Sequence, residues 1–316
     1  MPLVPGREVL LQAQHADCAV GAFNFENLEI LQAIVEAAQA EQTPVFIATS
    51  EGAIAYAGLD YLVALARTAA TRSSVSLVLH LDHGRDLELI EACIKAGYTS
   101  VMIDASNLPF EENLRVTRQV VQMAHAQGVS VEAELGKLKG VEDMVSVSER
   151  EAVLIDPDQA ERFVRETGVD SLAPAIGTAH GAFKFKGEPK LDFDRLKRVK
   201  QRTGIPLVLH GSSSVPEELV ARAIRYGAKL EHARGVPLAE IRQAVRLGIN
   251  KVNVDTDLRL ALTASLRQTL AEHPDEFDPR RILGPARTAM TDIVRQRIRC
   301  FKLSQAQTAG PNREGA

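Results

Sequence analysis

Cysteine is scarce in this sequence. Its 316 residues include three cysteines, Cys18, Cys93 and Cys300. They are odd in number and far apart, which fits neither a disulfide framework nor a Cys-x-x-Cys metal site. We therefore expect reduced thiols with structural roles.

Long apolar runs and clusters of basic residues are also missing. No run approaches the roughly 20 apolar residues that a membrane-spanning helix needs. Met1–Gly6 leads into mixed sequence without the apolar core of a signal peptide. Lysine and arginine are scattered and the net charge is −4, so nothing supplies the continuous positive surface that nucleic acid requires. We expect a cytoplasmic protein with neither a membrane nor a nucleic-acid partner.

No proline- or serine-rich linker divides the chain, and no internal repeat is visible. Hydrophobic residues make up 45% and charged residues 25%, the usual composition of a globular enzyme with a sizeable core. The length is compatible with one domain, because (β/α)8 barrels often reach this size. We predict a single domain over residues 1–304 and a polar, frayed tail over residues 305–316.

Short apolar and β-branched runs alternate with amphipathic stretches along the chain. The runs that we predict as strands are Ala19–Phe25, Pro44–Thr49, Val75–Leu81, Ser100–Asp104, Val129–Glu134, Ser171–Ile176, Pro206–His210 and Asn250–Val254. The stretches between them that are long enough for crossover helices include Leu28–Gln42, Asp60–Thr71, Leu87–Ala96, Glu111–Gln127, Asp192–Arg202 and Pro216–Tyr226. Strands that alternate with such helices form parallel sheets. The pattern predicts an α/β fold, a single (β/α)8 TIM barrel.

Two connections are longer than a barrel needs. The segment from Gly136 to Pro157 follows the fifth strand with about 20 residues, a length typical of a mobile active-site lid. The segment from Gly227 to Gly248 is expected to hold an extra helix beginning near Pro237. A further helix after Pro285 is expected to close the C-terminus.

Histidine lies at three predicted strand ends, where the loops of a TIM barrel converge on one mouth. The third strand ends His80-Leu81-Asp82-His83, the sixth continues into Gly177-Thr178-Ala179-His180-Gly181, and the seventh ends Leu209-His210-Gly211. Three imidazoles with an open fourth position are typical of catalytic zinc, which polarises a carbonyl. The strand ends therefore predict a zinc site.

The third strand offers two histidines and an acid for that site. Its alternation puts His80 and Asp82 on one face, whereas His83 lies at the mouth and is favoured as the ligand. His80, one layer deeper, is expected to pack or to orient a ligand. Asp82 is either an acid–base group or the orienter of a histidine.

Phosphate binding is the second feature that the strand ends indicate, because barrels commonly bind phosphate in the loops after strands 7 and 8. Gly211-Ser212-Ser213-Ser214 precedes a helix predicted near Pro216, and Asn253-Val254-Asp255-Thr256 precedes another. Hydroxyl groups and unpaired backbone N–H groups at helix starts bind anions. Gly181 and Lys184 add a close-approach glycine and a cation to the same mouth.

Six motifs together resemble one known family in their order along the chain. They are Leu79-His80-Leu81-Asp82-His83, Val101-Met102-Ile103-Asp104-Ala105-Ser106, Glu132-Ala133-Glu134-Leu135-Gly136, Gly177-Thr178-Ala179-His180-Gly181, Leu209-His210-Gly211-Ser212-Ser213 and Asn253-Val254-Asp255-Thr256-Asp257. These motifs are similar to those of class II fructose-bisphosphate aldolases, and the similarity covers nearly the whole chain. The resemblance implies reversible, zinc-dependent cleavage of fructose 1,6-bisphosphate to dihydroxyacetone phosphate and glyceraldehyde 3-phosphate.

The resemblance also implies roles for the metal ligands and the acids. The residues implied to hold the catalytic Zn2+ are His83, His180 and His210, with Asp104 and Glu134 at an alternate or second metal position. By the same resemblance, Asp82 exchanges the proton of the substrate's C4 hydroxyl. Glu142, in the long segment after the fifth strand, exchanges a proton with the enediolate carbon.

The substrate contacts implied by the resemblance come from several strand ends. The residues that match the dihydroxyacetone-phosphate pocket or further contacts are Asn24, Ser50, Gly181, Lys184, Gly211, Ser212, Ser213, Asn253, Asp255 and Thr256. Backbone carbonyls near Gly181 and Gly211 are implied to hold a monovalent cation, Na+ or K+. Arg259 resembles a residue that binds the far phosphate, in the family often from a neighbouring subunit, which implies a homodimer or homotetramer. Ser212 and Ser214 depart from the alanine and glycine common in the family.

Four other functions use parts of the same pattern. A tagatose-1,6-bisphosphate aldolase would share every zinc ligand, although Asp255 favours fructose because tagatose enzymes often have a smaller residue there. A Schiff-base aldolase would need a desolvated lysine, for which Lys251 is the strand candidate, but it leaves the three histidines unexplained. A TIM-barrel zinc hydrolase does not need two phosphate pockets. A non-catalytic sugar-phosphate sensor needs neither Asp82 nor Glu142.

Overall fold

The computed structural model describes residues 3–136, 139–142, 145–147, 154–180 and 191–303, and for residues 139–142, 145–147 and 179–180 it describes the backbone only. Gly181, Lys184 and the predicted tail over residues 305–316 lie outside the described residues. The side chains of Glu142 and His180 lie outside them as well.

Eight parallel strands close into a barrel, which confirms the predicted TIM-barrel fold. The barrel strands are β1 (Val20–Asn24), β2 (Val45–Ser50), β3 (Leu77–Gly84), β4 (Ser100–Ile103), β5 (Ser130–Leu135), β8 (Ser171–Pro174), β10 (Leu207–Leu209) and β11 (Ile249–Val254). Their order around the barrel is β1-β11-β10-β8-β5-β4-β3-β2. All eight lie within a few residues of the predicted runs.

Strand β5 illustrates how sequence alternation builds the two faces of the barrel wall. Val131, Ala133 and Leu135 pack in the apolar core shared with the helices. Glu132 and Glu134 alternate with them and are buried too. Because successive side chains point to opposite faces, these acids face the barrel interior, where each needs a polar partner.

The surrounding helices carry the apolar faces that cover the barrel. They are α1 (Gly6–His15), α2 (Leu28–Ala40), α3 (Glu51–Ala57), α4 (Leu59–Arg72), α5 (Leu87–Ala96), α6 (Phe110–His125), α7 (Pro157–Thr167), α8 (Phe193–Thr203), α9 (Glu217–Arg225), α10 (Leu238–Arg246), α11 (Thr256–Glu272) and α12 (Pro279–Phe301). The predicted crossover helices are confirmed with small shifts at their ends. The extra helix near Pro237 is confirmed as α10. Among the described residues, no helix combines the length and apolar composition needed to cross a membrane.

Helix α1 is an element that the strand pattern did not predict. Val9 and Leu10 on this helix pack against Val20, Phe46 and Val78, which point into the barrel from three strands. The helix therefore covers the end of the barrel opposite the mouth.

The helix predicted after Pro285 is present, but the predicted starting residue was wrong. Helix α12 begins at Pro279, and Pro285 lies inside it. The side chain of Asp278 accepts a hydrogen bond from the Arg280 N–H, and a proline at the first helical position needs no backbone partner. The cap at Asp278 thus starts the helix early enough to carry Pro285 in its interior.

The long segment after β5 contains secondary structure rather than an irregular loop. Strands β6 (Lys139–Glu142) and β7 (Val145–Val147) form an antiparallel pair, in which Glu142 lies opposite Val145. Strand β9 (Ala179–His180) pairs in parallel with β6 and places His180 beside Gly140. The backbones that carry Glu142 and His180 therefore belong to one small sheet. The mobility of this segment stays a prediction.

Candidate active site

A bulge in β3 brings both Asp82 and His83 to the barrel mouth. His80 and Leu81 pair with Ser100 and Val101, but the next regular pair joins Gly84 to Ile103, so two residues of β3 lie opposite one of β4. His83 has φ +51°, in the left-handed region. A bulge re-aims side chains that strict alternation would separate. It accounts for an acid and a histidine at adjacent positions that serve the same site.

Gly84 makes this bulge sterically feasible. A Cβ at this position would lie 2.8 Å from the Met102 carbonyl oxygen and 2.9 Å from the Ile90 side chain. The backbone of β3 approaches β4 too closely here for any side chain.

His83 and His210 lie side by side at the mouth. Their ring centroids are 4.6 Å apart, and each ring is buried. Ligand atoms of Asp82, His83 and His210 all lie within 4.8 Å of one another, and so do those of a second set, His83, Asp104 and Glu134. Imidazole nitrogens and carboxylate oxygens at this spacing suit a divalent transition metal. The donor atoms therefore fit the metal that the sequence predicts.

A carboxylate fixes the ring of His83. Its Nδ1 lies 3.0 Å from Asp104 Oδ2, and the same oxygen accepts a hydrogen bond from Arg85 at 2.8 Å. The Ser106 hydroxyl donates to Asp104 Oδ1 at 2.7 Å. Burial alone would raise the pKa of Asp104, but the hydrogen bond and charge of His83 and the charge of Arg85 hold that pKa well below its usual range. Asp104 is ionised, and its contact with Nδ1 makes Nε2 the nitrogen of His83 that suits a metal.

His210 lies between two carboxylates of β5. Its Nε2 is 2.8 Å from Glu132 Oε1, and its Nδ1 is 3.2 Å from Glu134 Oε2. Burial lowers the pKa of His210, but the hydrogen bonds with Glu132 and Glu134 outweigh it and raise the pKa to about 9. Glu132 and Glu134 therefore both favour a second proton on His210 when no metal is bound. A cation that takes its place would meet one imidazole nitrogen and one carboxylate.

Two amides hold the carboxylate of Asp82. Asn24 Nδ2 donates to Oδ2 and Asn253 Nδ2 donates to Oδ1, each at 2.9 Å. Both asparagines are at strand ends on either side of the closure between β1 and β11. Their own Oδ1 atoms are buried and have no hydrogen-bond partner among the residues that the structure describes. These oxygens are acceptors suited to the hydroxyl groups of a sugar.

His80 lies one layer deeper, as its position in β3 predicted. Its Nδ1 contacts the Ser100 hydroxyl at 2.8 Å, and its Nε2 lies 3.1 Å from Lys251 Nζ. Burial, followed by the charge of Lys251, lowers the pKa of His80 to about 3, so the ring is neutral. His80 therefore packs in a polar layer below the mouth.

Lys251 is fully buried in this same layer. Its ammonium group donates to Glu132 Oε2 at 2.7 Å. A lysine that forms a Schiff base must reach the substrate carbonyl as a free amine. Lys251 is committed to Glu132 and His80, which argues against the Schiff-base alternative.

The loop after β10 is fixed by groups outside the predicted site. The N–H groups of Ser214 and Val215 donate to Asp257, and Arg297 of α12 donates both to Asp257, at 2.8 Å, and to the Ser214 hydroxyl, at 2.7 Å. The expectation of unpaired N–H groups over Gly211–Ser214 was therefore wrong for Ser214, whose N–H the Asp257 carboxylate already accepts, and for the other three residues it stays a prediction.

The remaining predicted contacts lie around the same mouth. The Ser212 hydroxyl contacts the carbonyl oxygens of Leu209 and Asn253, and the Ser213 hydroxyl accepts from the Asp255 N–H at 3.3 Å. Thr256 is the first residue of α11, and Gly211 has φ +58°. Arg259 Nε lies 2.8 Å from Asp255 Oδ1 with its side chain half exposed, and the Ser50 hydroxyl caps α3 through the Ala53 N–H. The structure brings these residues to one end of the barrel, and their contacts with substrate stay predictions.

Several residues of the site were not singled out from the sequence as functional. Glu132 could have been found from the sequence. It lies two residues before Glu134 on a buried strand, so both side chains must point into the barrel interior. Arg85 follows His83 at the loop start, where charged residues are ordinary. Asp257 and Arg297 come from different helices, and no local pattern connects them.

Comparisons with known proteins agree along nearly the whole chain. The family model described as fructose-bisphosphate aldolase class-II matches residues 4–306. A fructose-bisphosphate aldolase of Helicobacter pylori is 53% identical over 298 residues, which cover 94% of this chain and 97% of that protein. A fructose-bisphosphate aldolase of Thermus caldophilus is 48% identical over 299 residues, which cover 95% of this chain and 98% of that protein. The solved structure of the YdjI aldolase from Escherichia coli K12 superposes on this chain with a TM-score of 0.78 and 32% sequence identity. The match covers 95% of this chain and 97% of the YdjI chain.

Proposed function

Because the chain belongs to the class II fructose-bisphosphate aldolase family and is an aldehyde-lyase of glycolysis, we propose that it cleaves fructose 1,6-bisphosphate with a zinc ion at the barrel mouth. The products are dihydroxyacetone phosphate and glyceraldehyde 3-phosphate. The observation that supports this most directly is the carboxylate of Asp82, held by Asn24 and Asn253 within 4.8 Å of the imidazole nitrogens of His83 and His210.

The residues that would hold the zinc are His83, through Nε2, and His210, through Nδ1, because Asp104 and Glu132 occupy the other ring nitrogens. The family motif adds His180. Asp104 and Glu134 offer the alternate position, which the second ligand set supports. When bound, such an ion would polarise the ketose carbonyl and offset the negative charge that develops on its oxygen.

Asp82 is the base of the cleavage step. It takes the proton from the C4 hydroxyl, the C3–C4 bond breaks, and the C4 oxygen becomes the aldehyde oxygen of glyceraldehyde 3-phosphate. The electron pair of the broken bond stays on the three-carbon fragment. The two amides that donate to Asp82 keep the carboxylate aimed at one position, and this fixed geometry removes an entropic part of the barrier.

Glu142 delivers the second proton. Its carboxyl group protonates C3 of the three-carbon fragment, which yields dihydroxyacetone phosphate. Closure of the segment that carries Glu142 would keep bulk water away from the carbanion until that transfer. In the synthetic direction Glu142 removes the C3 proton and Asp82 returns its proton to the C4 oxygen.

The two phosphates bind on opposite sides of the mouth. Ser213, Thr256 and the start of α11 receive the phosphate of the dihydroxyacetone half, with Gly181, Lys184, Gly211, Ser212 and Asn253 completing that pocket. Arg259, in the family often supplied by a neighbouring subunit, receives the far phosphate, which requires it to leave its ion pair with Asp255 of its own chain. Asp255 favours fructose over tagatose 1,6-bisphosphate, because tagatose enzymes often have a smaller residue at this position.

The cellular setting, the subunit number and the monovalent ion are part of the proposal. We place the enzyme in the cytoplasm as a homodimer or homotetramer, with Na+ or K+ bound by backbone carbonyls near Gly181 and Gly211. Light scattering of the purified protein measures the subunit number. Activity in sodium, potassium and tetramethylammonium buffers measures the need for the monovalent ion.

The deciding experiment measures triose-phosphate release from fructose 1,6-bisphosphate and, separately, from tagatose 1,6-bisphosphate, before and after chelation and zinc replacement. Fructose cleavage that chelation abolishes and zinc restores supports the proposal. Cleavage of tagatose alone would reassign the substrate. Chelator-resistant cleavage would overturn the metal assignment, and hydrolysis of the phosphate ester without carbon–carbon cleavage would favour a zinc hydrolase.

A matched pair of histidine variants separates the site from general effects on the protein. His83→Asn should lose both zinc and cleavage. His273→Asn changes an exposed histidine just after α11 and should keep both. Loss of zinc in both variants would contradict the assignment of His83.

A further inference from the structure

A buried polar network lies directly beneath the candidate metal site. Glu132, Lys251, His80 and Ser100 come from four different barrel strands, and all are buried. The network meets the site where Glu132 Oε1 lies 2.8 Å from His210 Nε2. None of the roles assigned above needs Lys251 or Glu132 to contact the substrate.

The chemistry of the partners fixes where each hydrogen lies. An ammonium group can only donate, so Lys251 donates to both Glu132 Oε2 and His80 Nε2, and His80 then carries its hydrogen on Nδ1, toward Ser100. A carboxylate can only accept, so His210 Nε2 carries a hydrogen and donates it to Glu132. The lone pair of a neutral His210 is therefore on Nδ1, which faces Glu134 and the mouth.

We propose that Glu132 and Lys251 are positioning residues that hold His210 in the tautomer whose Nδ1 binds the metal. This inference rests on the metal site of the proposed function. Glu132 orients the ring, and Lys251 fixes the second oxygen of Glu132 so that the carboxylate cannot rotate away. The arrangement corresponds to the carboxylate–histidine pairs that orient metal ligands in other proteins.

A purely structural explanation accounts poorly for this network. Taking a carboxylate and an ammonium out of water is costly, and well-packed apolar residues of similar volume often give equal or greater stability. The neighbouring interior positions of the barrel, Phe46 and Val78, are apolar. An ion pair at this depth is explained if one of its members must accept a hydrogen bond from His210.

The test uses the isosteric variant Glu132→Gln, the variant Lys251→Met, and their combination. Each single variant leaves one buried charge without its partner and is expected to lose stability. The double variant is neutral and keeps the volume of both side chains. Lys200→Met is the matched control, because Lys200 Nζ is also held by protein acceptors, Gln14 Oε1, Ile205 O and Asn250 Oδ1, and has no contact with the site.

The primary measurement is the Zn2+ affinity of the metal-free proteins, obtained by competition with a chromophoric chelator, beside their melting temperatures. An amide can donate to His210 Nε2 and so favour the tautomer with the hydrogen on Nδ1. We expect the double variant to regain most of the melting temperature lost by the single variants but to bind Zn2+ about 10- to 100-fold more weakly than the wild type. Lys200→Met should bind Zn2+ as the wild type does.

Zn2+ affinity of the double variant within twofold of the wild type would overturn the inference, because Glu132 would then only balance the charge of Lys251. If no variant folds, NMR of the histidine ring nitrogens in the zinc-loaded wild-type protein decides the question. A hydrogen on His210 Nε2 supports the inference, and a hydrogen on Nδ1 overturns it. A wild-type protein that binds no zinc, or cleaves its substrate without zinc, would instead overturn the proposed function.

Discussion

At the residue scale, the carboxylate of Asp82 carries the clearest expectation. Asp82→Asn keeps the size of the side chain but removes the base. We expect kcat for fructose 1,6-bisphosphate to fall by roughly 100- to 10,000-fold, the usual range for loss of a general base. Steady-state kinetics measures this fall, and the zinc content should stay unchanged if Asp82 is not a ligand.

Asp275→Asn serves as the control for Asp82→Asn, since Asp275 is exposed in the turn before α12. Its kinetics should match those of the wild type. Full activity in Asp82→Asn would remove Asp82 from the mechanism. Normal sugar-phosphate binding with no turnover in the wild type would favour a sensor over an enzyme.

If His210 binds the metal as proposed, metal binding should depend on pH. The folded, metal-free protein raises the pKa of this histidine from 6.5 to about 9, so its extra proton stabilises the metal-free fold below pH 6.5 and that contribution is lost as the pH rises through about 9. A metal must displace this proton. We therefore expect zinc affinity to rise with pH up to about 9 and zinc uptake at about pH 7 to release close to one proton from this site.

Titration calorimetry in buffers of different ionisation enthalpy measures the proton release. The heat of zinc binding should depend on the buffer in the wild type. A pH-independent affinity between about pH 6 and 9, with the same heat in every buffer, would contradict the role of His210 as a ligand.

At the scale of elements, Arg297 links the helix α12 to the loop after β10, which is proposed to bind phosphate. Arg297 is buried and joins Asp257 to Ser214. We expect Arg297→Met to lower the free energy of unfolding by about 3–5 kcal/mol, because it leaves the Asp257 carboxylate buried without a positive partner. The loosened loop should raise KM for the bisphosphate more than it lowers kcat. Chemical denaturation and steady-state kinetics give the two quantities.

Arg287→Met is the control on the same helix. Arg287 is half exposed and contacts Gln32 and Glu36 at the surface, where ion pairs contribute little. It should leave both KM and stability nearly unchanged. A fall in kcat with an unchanged KM in Arg297→Met would show that α12 does not act on substrate binding through the loop after β10.

The elements also show what local sequence can predict. Runs of β-branched and apolar residues located all eight barrel strands, because a parallel strand is buried on both faces and leaves a continuous signal. The bulge at Asp82 and His83 depends on the register with β4, which no local pattern contains. Pro285 alone predicts a helix that starts near it, but α12 starts at Pro279 because Asp278 caps it. The link from Arg297 to the loop is long-range and has no local signal.

At the scale of the whole molecule, the metal would join distant parts of the chain. His83 lies in the bulge of β3 and His210 follows β10, with three other strands between them in the barrel. His180, on β9, belongs to the small sheet that also carries Glu142. An ion held by all three would stabilise the folded state alone, because the unfolded chain does not bring these histidines together.

We therefore expect zinc removal to lower thermal stability as well as activity. If free zinc exceeds its dissociation constant by about 100- to 1,000-fold, binding contributes about 3–4 kcal/mol to folding. Differential scanning calorimetry of zinc-loaded and chelated protein should show a higher melting temperature with zinc, and His83→Asn should abolish the difference. If chelation stops cleavage while the melting temperature stays the same, the ion would not be held between the strands at the barrel mouth. The sugar would then have to bring the metal with it.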